Sequence, residues 1–250
     1  MQIVIHPIDN FGDLLNIPLL NYYLDDTPEF ISCKDVKPGK VFMGLGTLID
    51  YIIPLEWFND KQVTFLGTGS AQKERIFTGH AGGFVRGKLT EAKMGIKALG
   101  DLGILIDRIY GFPARKRNET AVVIDKSGES KLTINTSLPE PRMLTAVCHN
   151  IMQIRDFYDA LVSYDFILTD RLHVATTAEA VETPWIIWNH GRGDTAQTPD
   201  KFLDWAGMIG KERFIIDDLS QIDIIYENTD FTKSKEQKEI LEDALRKIRR

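Results

Sequence analysis

An arginine and a histidine stand two residues apart in Thr169-Asp170-Arg171-Leu172-His173, at the end of an apolar run. An arginine offers a planar fork of donors that fits a phosphate or a carboxylate. A histidine titrates near neutrality and can serve as general acid or base. If the backbone is extended here, both side chains project to one side. Two Gly-x-Gly turns, Gly44-Leu-Gly46 and Gly67-Thr68-Gly69-Ser70, also follow apolar runs. Such turns let backbone amides face the edge of a sheet where anions bind. Asn10-Phe-Gly-Asp13 carries ordinary helix-capping residues between a first strand and a first helix.

Other chemistries fall away on spacing. Gly82-Gly-Phe-Val-Arg-Gly87-Lys88-Leu89-Thr90 nearly matches a nucleotide-phosphate loop. Leu89 stands where the magnesium-binding hydroxyl is required, and Phe84-Val85 reads as strand interior. Neither Gly-x-Gly turn has the third glycine of a dinucleotide fingerprint. His6, His80, His149, His173 and His190 lie far apart with no metal-ligand spacing. No Gly-x-Ser-x-Gly elbow occurs.

Short Val/Ile/Phe-rich runs alternate with longer amphipathic ones, which predicts an α/β fold. Strands are expected at 2–6, 40–44, 62–66, 83–86, 120–125, 143–148, 166–169, 185–188 and 213–216. Helices are expected at 13–24, 48–53, 89–99, 151–162, 174–181, 200–209 and 233–249. The strands do not alternate apolar with polar, as expected of parallel strands buried on both faces. A basic, Pro- and Gly-containing stretch at 111–119 reads as a linker. It divides the chain into an N-terminal doubly wound half, 1–112, and a C-terminal one, 113–232, with a cleft between them. The segment 126–130 reads as a turn inside the second half. Residues 233–250 read as a C-terminal helix docked on its own chain, with Ile240, Leu241, Ala244, Leu245 and Ile248 as one apolar stripe.

The chain has 250 residues, 43% of them apolar, and a net charge of -6. That composition supports a packed core and argues against a broad basic nucleic-acid footprint. An anionic small molecule would need a local cluster of Arg or Lys. No apolar run is long enough to span a membrane, and Met1-Gln-Ile-Val-Ile-His lacks a signal peptide's basic start. Two cysteines, Cys33 and Cys148, build no disulfide framework and point to the reducing cytoplasm.

Taken in order, the motifs resemble the polysaccharide pyruvyl transferase family over about residues 4–210. They are Asn10-Phe-Gly-Asp13, Gly67-Thr-Gly-Ser70, Val85-Arg86-Gly87-Lys-Leu-Thr90, Gly100-Asp101, Thr169-Asp-Arg171-Leu-His173 with the small-residue helix to Thr183-Pro184, and Asp200-Lys201-Phe-Leu-Asp204-Trp205. The last looks like the Lys-x-x-Asp-Trp stretch of the branch that makes ketals on bacterial exopolysaccharides. Leu102 stands where the family often has Pro, and the chain is shorter than most members. The resemblance implies two Rossmann-like halves in a glycosyltransferase-B-like arrangement. It implies phosphoenolpyruvate as co-substrate, a sugar diol or lipid-linked oligosaccharide as acceptor, and no metal or organic cofactor. Carried onto this sequence, it makes His173 the acid/base and gives Arg86 and Arg171 to the donor's two anionic groups. Gly67, Thr68, Gly69 and Ser70 would add backbone amides, and Lys201 a further cation. Asp13 would be a base toward the acceptor. Asn10, His149, His190 and Arg192 would lie on the acceptor side, and Asp101 would be a helix cap. A lipid-linked acceptor would bring the protein to the inner membrane face by a local patch. A nucleotide-sugar glycosyltransferase and a noncatalytic glycan-binding protein are the other readings that this architecture admits.

Overall fold

A computed structural model describes residues 1–5, 10–24, 28–32, 35–46, 49, 61–70, 81–112, 117–124, 141–189, 199–222 and 229–249. Among the described residues, ten strands form two five-stranded sheets. The first contains β1 (Gln2–Val4), β2 (Glu29–Ile31), β3 (Gly39–Met43), β4 (Lys61–Thr68) and β5 (Ala81–Val85). The second contains β6 (Arg117–Val123), β7 (Pro141–Met143), β8 (Tyr164–Thr169), β9 (Trp185–Trp188) and β10 (Ile215–Ile216). Every described pairing is parallel. The spatial orders are β2-β1-β3-β4-β5 and β10-β9-β8-β6-β7. Numbered within each half, both orders are 2-1-3-4-5, so the chain contains the same open α/β sheet twice. In such a sheet, ligands bind beyond the carboxyl ends of the strands at the point where the strand order reverses. That point lies between β1 and β3 in one half and between β6 and β8 in the other.

Successive strand residues face opposite sides, and the core divides accordingly. Val4, Val41, Met43, Val63, Phe65 and Val85 form a cluster on one face of the first sheet. Val122, Phe166, Leu168, Ile186 and Trp188 do the same on the second. The alternate residues, Ile3, Phe42, Leu66 and Phe84 with Ala121, Val123, Ile167, Trp185 and Ile187, belong to one continuous cluster shared by both halves.

The helices are α1 (Phe11–Leu14), α2 (Asn16–Tyr23), α3 (Lys88–Met94), α4 (Asp107–Tyr110), α5 (Ile151–Leu161), α6 (Leu172–Ala180), α7 (Pro199–Ile209) and α8 (Thr232–Arg249). A 3-10 turn at Leu102–Leu105 precedes α4. In α5, Asn150 caps the first turn by accepting from the Gln153 N–H at 3.0 Å, and Ile154, Phe157, Tyr158 and Leu161 form the buried stripe.

The architecture is the expected α/β fold with two Rossmann-like halves, and several boundaries differ from the sequence expectation. The helix expected at 89–99 stops at Met94, because Gly95 takes the left-handed conformation (φ 66°) and ends it. Beyond it the chain extends, and Ala98 bridges to Val85. The strand expected at 143–148 lies earlier, at 141–143. The stretch read as linker to residue 119 is already strand from Arg117, paired with β8. β2, the 3-10 turn and α4 were not anticipated; each is three or four residues long and shows no periodicity. Ile240 is 52% exposed and leaves the α8 stripe, while the polar Ser234, Gln237 and Lys238 join the buried face beside Leu241 and Leu245. Most of the helix expected at 48–53, and all of 126–130, lie outside the described residues.

Candidate functional site

The first turns of the helices that follow β1 and β8 meet. After β1, Asn10 caps α1: its Oδ1 accepts from the Asp13 N–H at 3.0 Å, and its Nδ2 donates to the Asp13 carboxylate. After β8, the Thr169 hydroxyl donates to the Val123 carbonyl at 2.6 Å and accepts from the Arg171 N–H at 2.9 Å. That pair of bonds fixes the start of α6. Arg171 is extended (φ -111°, ψ 120°), and His173 lies in the first helical turn, so the segment is not extended throughout. His173 packs directly on Gly12. A Cβ at Gly12 would stand 2.2 Å from the His173 Nδ1, so only glycine lets α1 and α6 approach here.

His173 has a second neighbour, Asp101. Its Nε2 lies 3.5 Å from the Asp101 Oδ2, and the Asp101 side chain is fully buried. The other carboxylate oxygen accepts from the Gly103 N–H at 2.9 Å and caps the 3-10 turn. A Cβ on Gly103 would stand 2.5 Å from the Thr176 hydroxyl of α6, so the turn and α6 touch closely. Burial pushes the Asp101 carboxyl up. The charges of His173 and Arg86, with the Gly103 bond, outweigh that and hold it below the ordinary carboxylate range. The cap was legible in the sequence; the contact with His173 crosses between halves and was not.

Arg86 follows β5 and is fully buried. Its Nε pairs with Asp204 of α7 at 3.3 Å. Asp204 also accepts from the Thr90 N–H at 3.0 Å and the Thr90 hydroxyl at 2.6 Å. Nη1 and Nη2 of Arg86 are buried and have no hydrogen-bond partner among the described residues. An unpaired buried guanidinium edge is costly in a fold, and an anionic ligand would satisfy it.

Lys201, also on α7, shares this electric field. Burial, then the positive charges of Arg86 and Arg171, pull its ammonium down to about 8, against the opposing pull of Asp13 and Asp170. Arg171 pairs through its Nε with the buried Asp170 at 3.2 Å, and its side chain is 38% exposed. The fold therefore collects Asp13, Arg86, Arg171, His173 and Lys201 from distant parts of the sequence.

The segment Gly67–Ser70 lies beside them in a different role from the one expected. The Gly69 N–H donates to the Gly46 carbonyl at 2.9 Å, and the Ser70 N–H to the Thr90 hydroxyl at 3.0 Å. The Thr68 hydroxyl donates to the Gly46 carbonyl at 3.1 Å. These donors are committed inside the protein and do not form an anion cradle. Gly69 instead makes room: a Cβ there would stand 2.0 Å from the Arg86 Nη2. Gly67, at φ 80°, brings β4 against the Gly100 carbonyl and so against the Asp101 segment. His149 is exposed at the head of α5, its backbone N–H held by the Gln153 side chain at 2.7 Å. His190 and Arg192 lie outside the described residues, as do His6, His80 and Cys33. Among the described residues, no group of three His, Cys, Asp or Glu side chains could hold a metal ion. No helix among them is long and apolar enough to cross a membrane.

No family model matches the chain, and no curated protein matches it. Among solved structures it is similar to an uncharacterized protein of Klebsiella pneumoniae subsp. pneumoniae. The TM-score is 0.53 at 14% identity, over 86% of this chain and 92% of that one. At that identity the likeness shows the fold alone, an α/β chain with two Rossmann-like halves.

Proposed function

We propose that the protein is a polysaccharide pyruvyl transferase, which moves the enolpyruvyl group of phosphoenolpyruvate onto a sugar diol as a ketal. The observation that carries this reading is the cluster of three cations beside an imidazole. Arg86, Arg171 and Lys201 share one partly buried field, and His173 stands next to it on Gly12. Phosphoenolpyruvate carries a phosphate and a carboxylate, and more than one cation is needed to hold both. The motif order described above supports the same choice.

His173 donates a proton to the donor's methylene carbon, which becomes a methyl group and leaves an oxocarbenium-like centre at C2. One acceptor hydroxyl adds there and loses its proton to a base, the role proposed for Asp13. The C2–O bond to phosphate then breaks, and a second hydroxyl closes the ketal. The diol loses two protons; one stays in the methyl group and the other leaves on phosphate. The arginine pair stabilises charge on the departing phosphate. The acceptor is a sugar diol, free or lipid-linked, presented at the cytoplasmic face of the membrane. The reaction uses no resident cofactor.

A thermal-shift titration tests the donor. Phosphoenolpyruvate is run beside inorganic phosphate, UDP-sugars and GDP-sugars. A ligand at 100 times its Kd adds about 2.7 kcal/mol of stability, which is several degrees in Tm for a chain of this size. The expected result is a shift with phosphoenolpyruvate that is lost in Arg171→Ala. Phosphate release from phosphoenolpyruvate with a panel of sugar glycosides then finds the acceptor. A shift with nucleotide sugars alone sinks the reading in favour of a glycosyltransferase.

A further inference from the structure

Asp101 was expected only as a helix cap, and its second oxygen has a geometry that capping does not explain. Oδ1 takes the Gly103 N–H at 2.9 Å. Oδ2 is turned to the His173 Nε2, 3.5 Å away. Both facing atoms are buried, and neither has a hydrogen-bond partner among the described residues. If Nε2 carried a lone pair, two acceptors would face each other in a site closed to water, the most costly arrangement for buried polar atoms. A proton on Nε2 satisfies both atoms at once. The His173 side chain retains 13% exposure, none of it at Nε2, and Nδ1 lies against Gly12 of α1, next to Asp13.

We propose that Asp101 is a positioning residue that holds His173 as its Nε2–H tautomer, leaving Nδ1 as the nitrogen that exchanges a proton with substrate. The mechanistic half of this inference rests on the pyruvyl-transfer reading; the tautomer does not. The imidazolium gives its Nδ1 proton to the methylene carbon, and the neutral ring that remains is the form that Asp101 favours. The carboxylate also stabilises the imidazolium before transfer. The ionised state of Asp101, favoured by the adjacent Arg86 charge and the Gly103 bond, suits this part. The two residues come from different halves, so the pair forms only when the halves are packed together.

The conservative variant Asp101→Asn isolates the effect. The Gly103 N–H needs an acceptor, which fixes the amide oxygen in the cap and turns the amide NH2 toward Nε2. A donor there requires a lone pair on Nε2 and drives the ring to the Nδ1–H form. The readout is a long-range proton–nitrogen correlation spectrum of the full chain labelled with nitrogen-15 histidine, above the pH at which its imidazoles are charged. The spectrum of His173→Gln identifies the resonance. The wild type is expected as Nε2–H and Asp101→Asn as Nδ1–H, with the phosphoenolpyruvate thermal shift retained. With the acceptor found in the glycoside panel, Asp101→Asn is expected to lose about 10²- to 10⁴-fold in kcat with little change in KM for phosphoenolpyruvate. A wild-type Nδ1–H tautomer, which is read without Asp101→Asn, overturns the proposal. So does an unchanged tautomer and kcat in Asp101→Asn. If the tautomer reverses as expected but phosphoenolpyruvate neither binds nor turns over, the pairing stands and the transfer reading falls.

Discussion

Lys201 shows how a single side chain reports on the site. Its ammonium sits among Arg86, Arg171, Asp13 and Asp170 and loses its proton near 8, against an ordinary value of 10.5. Below pH 8 the folded and unfolded chains both hold that proton, and the fold carries the full cost of a buried, repelled charge. Between about pH 8 and 10.5 the unfolded chain binds more protons, so this residue's contribution to stability rises with pH. A dianion bound among the three cations reverses the repulsion and draws the proton back. Phosphoenolpyruvate binding at about pH 8.5 is therefore expected to take up a sizeable fraction of a proton. Calorimetry in two buffers of different ionisation enthalpy measures it, and Lys201→Met abolishes it. The same variant should melt a few degrees higher at pH 7 without ligand, since it removes a charge that the fold disfavours. Binding with no proton uptake would place the anion elsewhere.

At the scale of elements, α7 is the piece that holds the cationic edge in place. It belongs by sequence to the second half, where Trp205 packs on Trp185 of β9 with ring centres 5.1 Å apart. Its Asp204 reaches the first half and binds both Arg86 and Thr90. Gly87 permits the approach, since a Cβ there would stand 1.7 Å from the Asp204 carbonyl oxygen. Asp204→Ala removes the counter-charge from a fully buried arginine and unties α3. The expected cost is about 3–5 kcal/mol in urea unfolding, because a buried ion without its partner is far worse than no ion pair. Asp204→Asn, which keeps an acceptor for Thr90, should cost less. A loss below 1 kcal/mol for the alanine variant would mean that Arg86 finds another partner.

Across the whole molecule, α8 ties the halves together. Ser234 donates to Glu179 of the second half, which also accepts from the Trp185 indole at 2.6 Å and from Lys211 at 2.8 Å. One turn on, Lys238 bonds to Asp107 of the first half at 2.9 Å and to the Ala180 carbonyl of the second at 2.6 Å. Glu242 then accepts from Arg108 at 2.9 Å. Between these contacts, Gln237 packs on Gly100, next to Asp101. Lys238→Ala leaves the buried Asp107 without its close cation and is expected to cost about 3–5 kcal/mol in urea unfolding. Replacing both partners, Lys238→Met with Asp107→Leu, should recover most of that loss. Because one apolar cluster runs through both halves, the expected unfolding curve has a single transition; two transitions would show that the halves fold independently.

The periodicity of this chain determined the class of fold, since runs of Val, Ile and Phe separated by amphipathic segments form a parallel sheet covered by helices. The chemistry-bearing segments were legible for a related reason: Asn10–Asp13, Arg86 and Arg171–His173 each follow an apolar strand, where an α/β chain exposes its functional edge. The limits were equally physical. Three- and four-residue elements such as β2 and α4 contain too few residues to show a period. The α8 stripe misplaced Ile240 because Ser234 and Lys238 are buried for polar partners contributed by other elements. Whether the Gly69 and Ser70 amides were free for a ligand depended on Gly46 and Thr90, which the sequence does not place beside them. The pairing of Asp101 with His173 was decided only by the tertiary structure. Seventy-two positions separate them, and they meet because α1 and the 3-10 turn of one half pack on α6 of the other at contacts that a side chain on Gly12 or Gly103 would block.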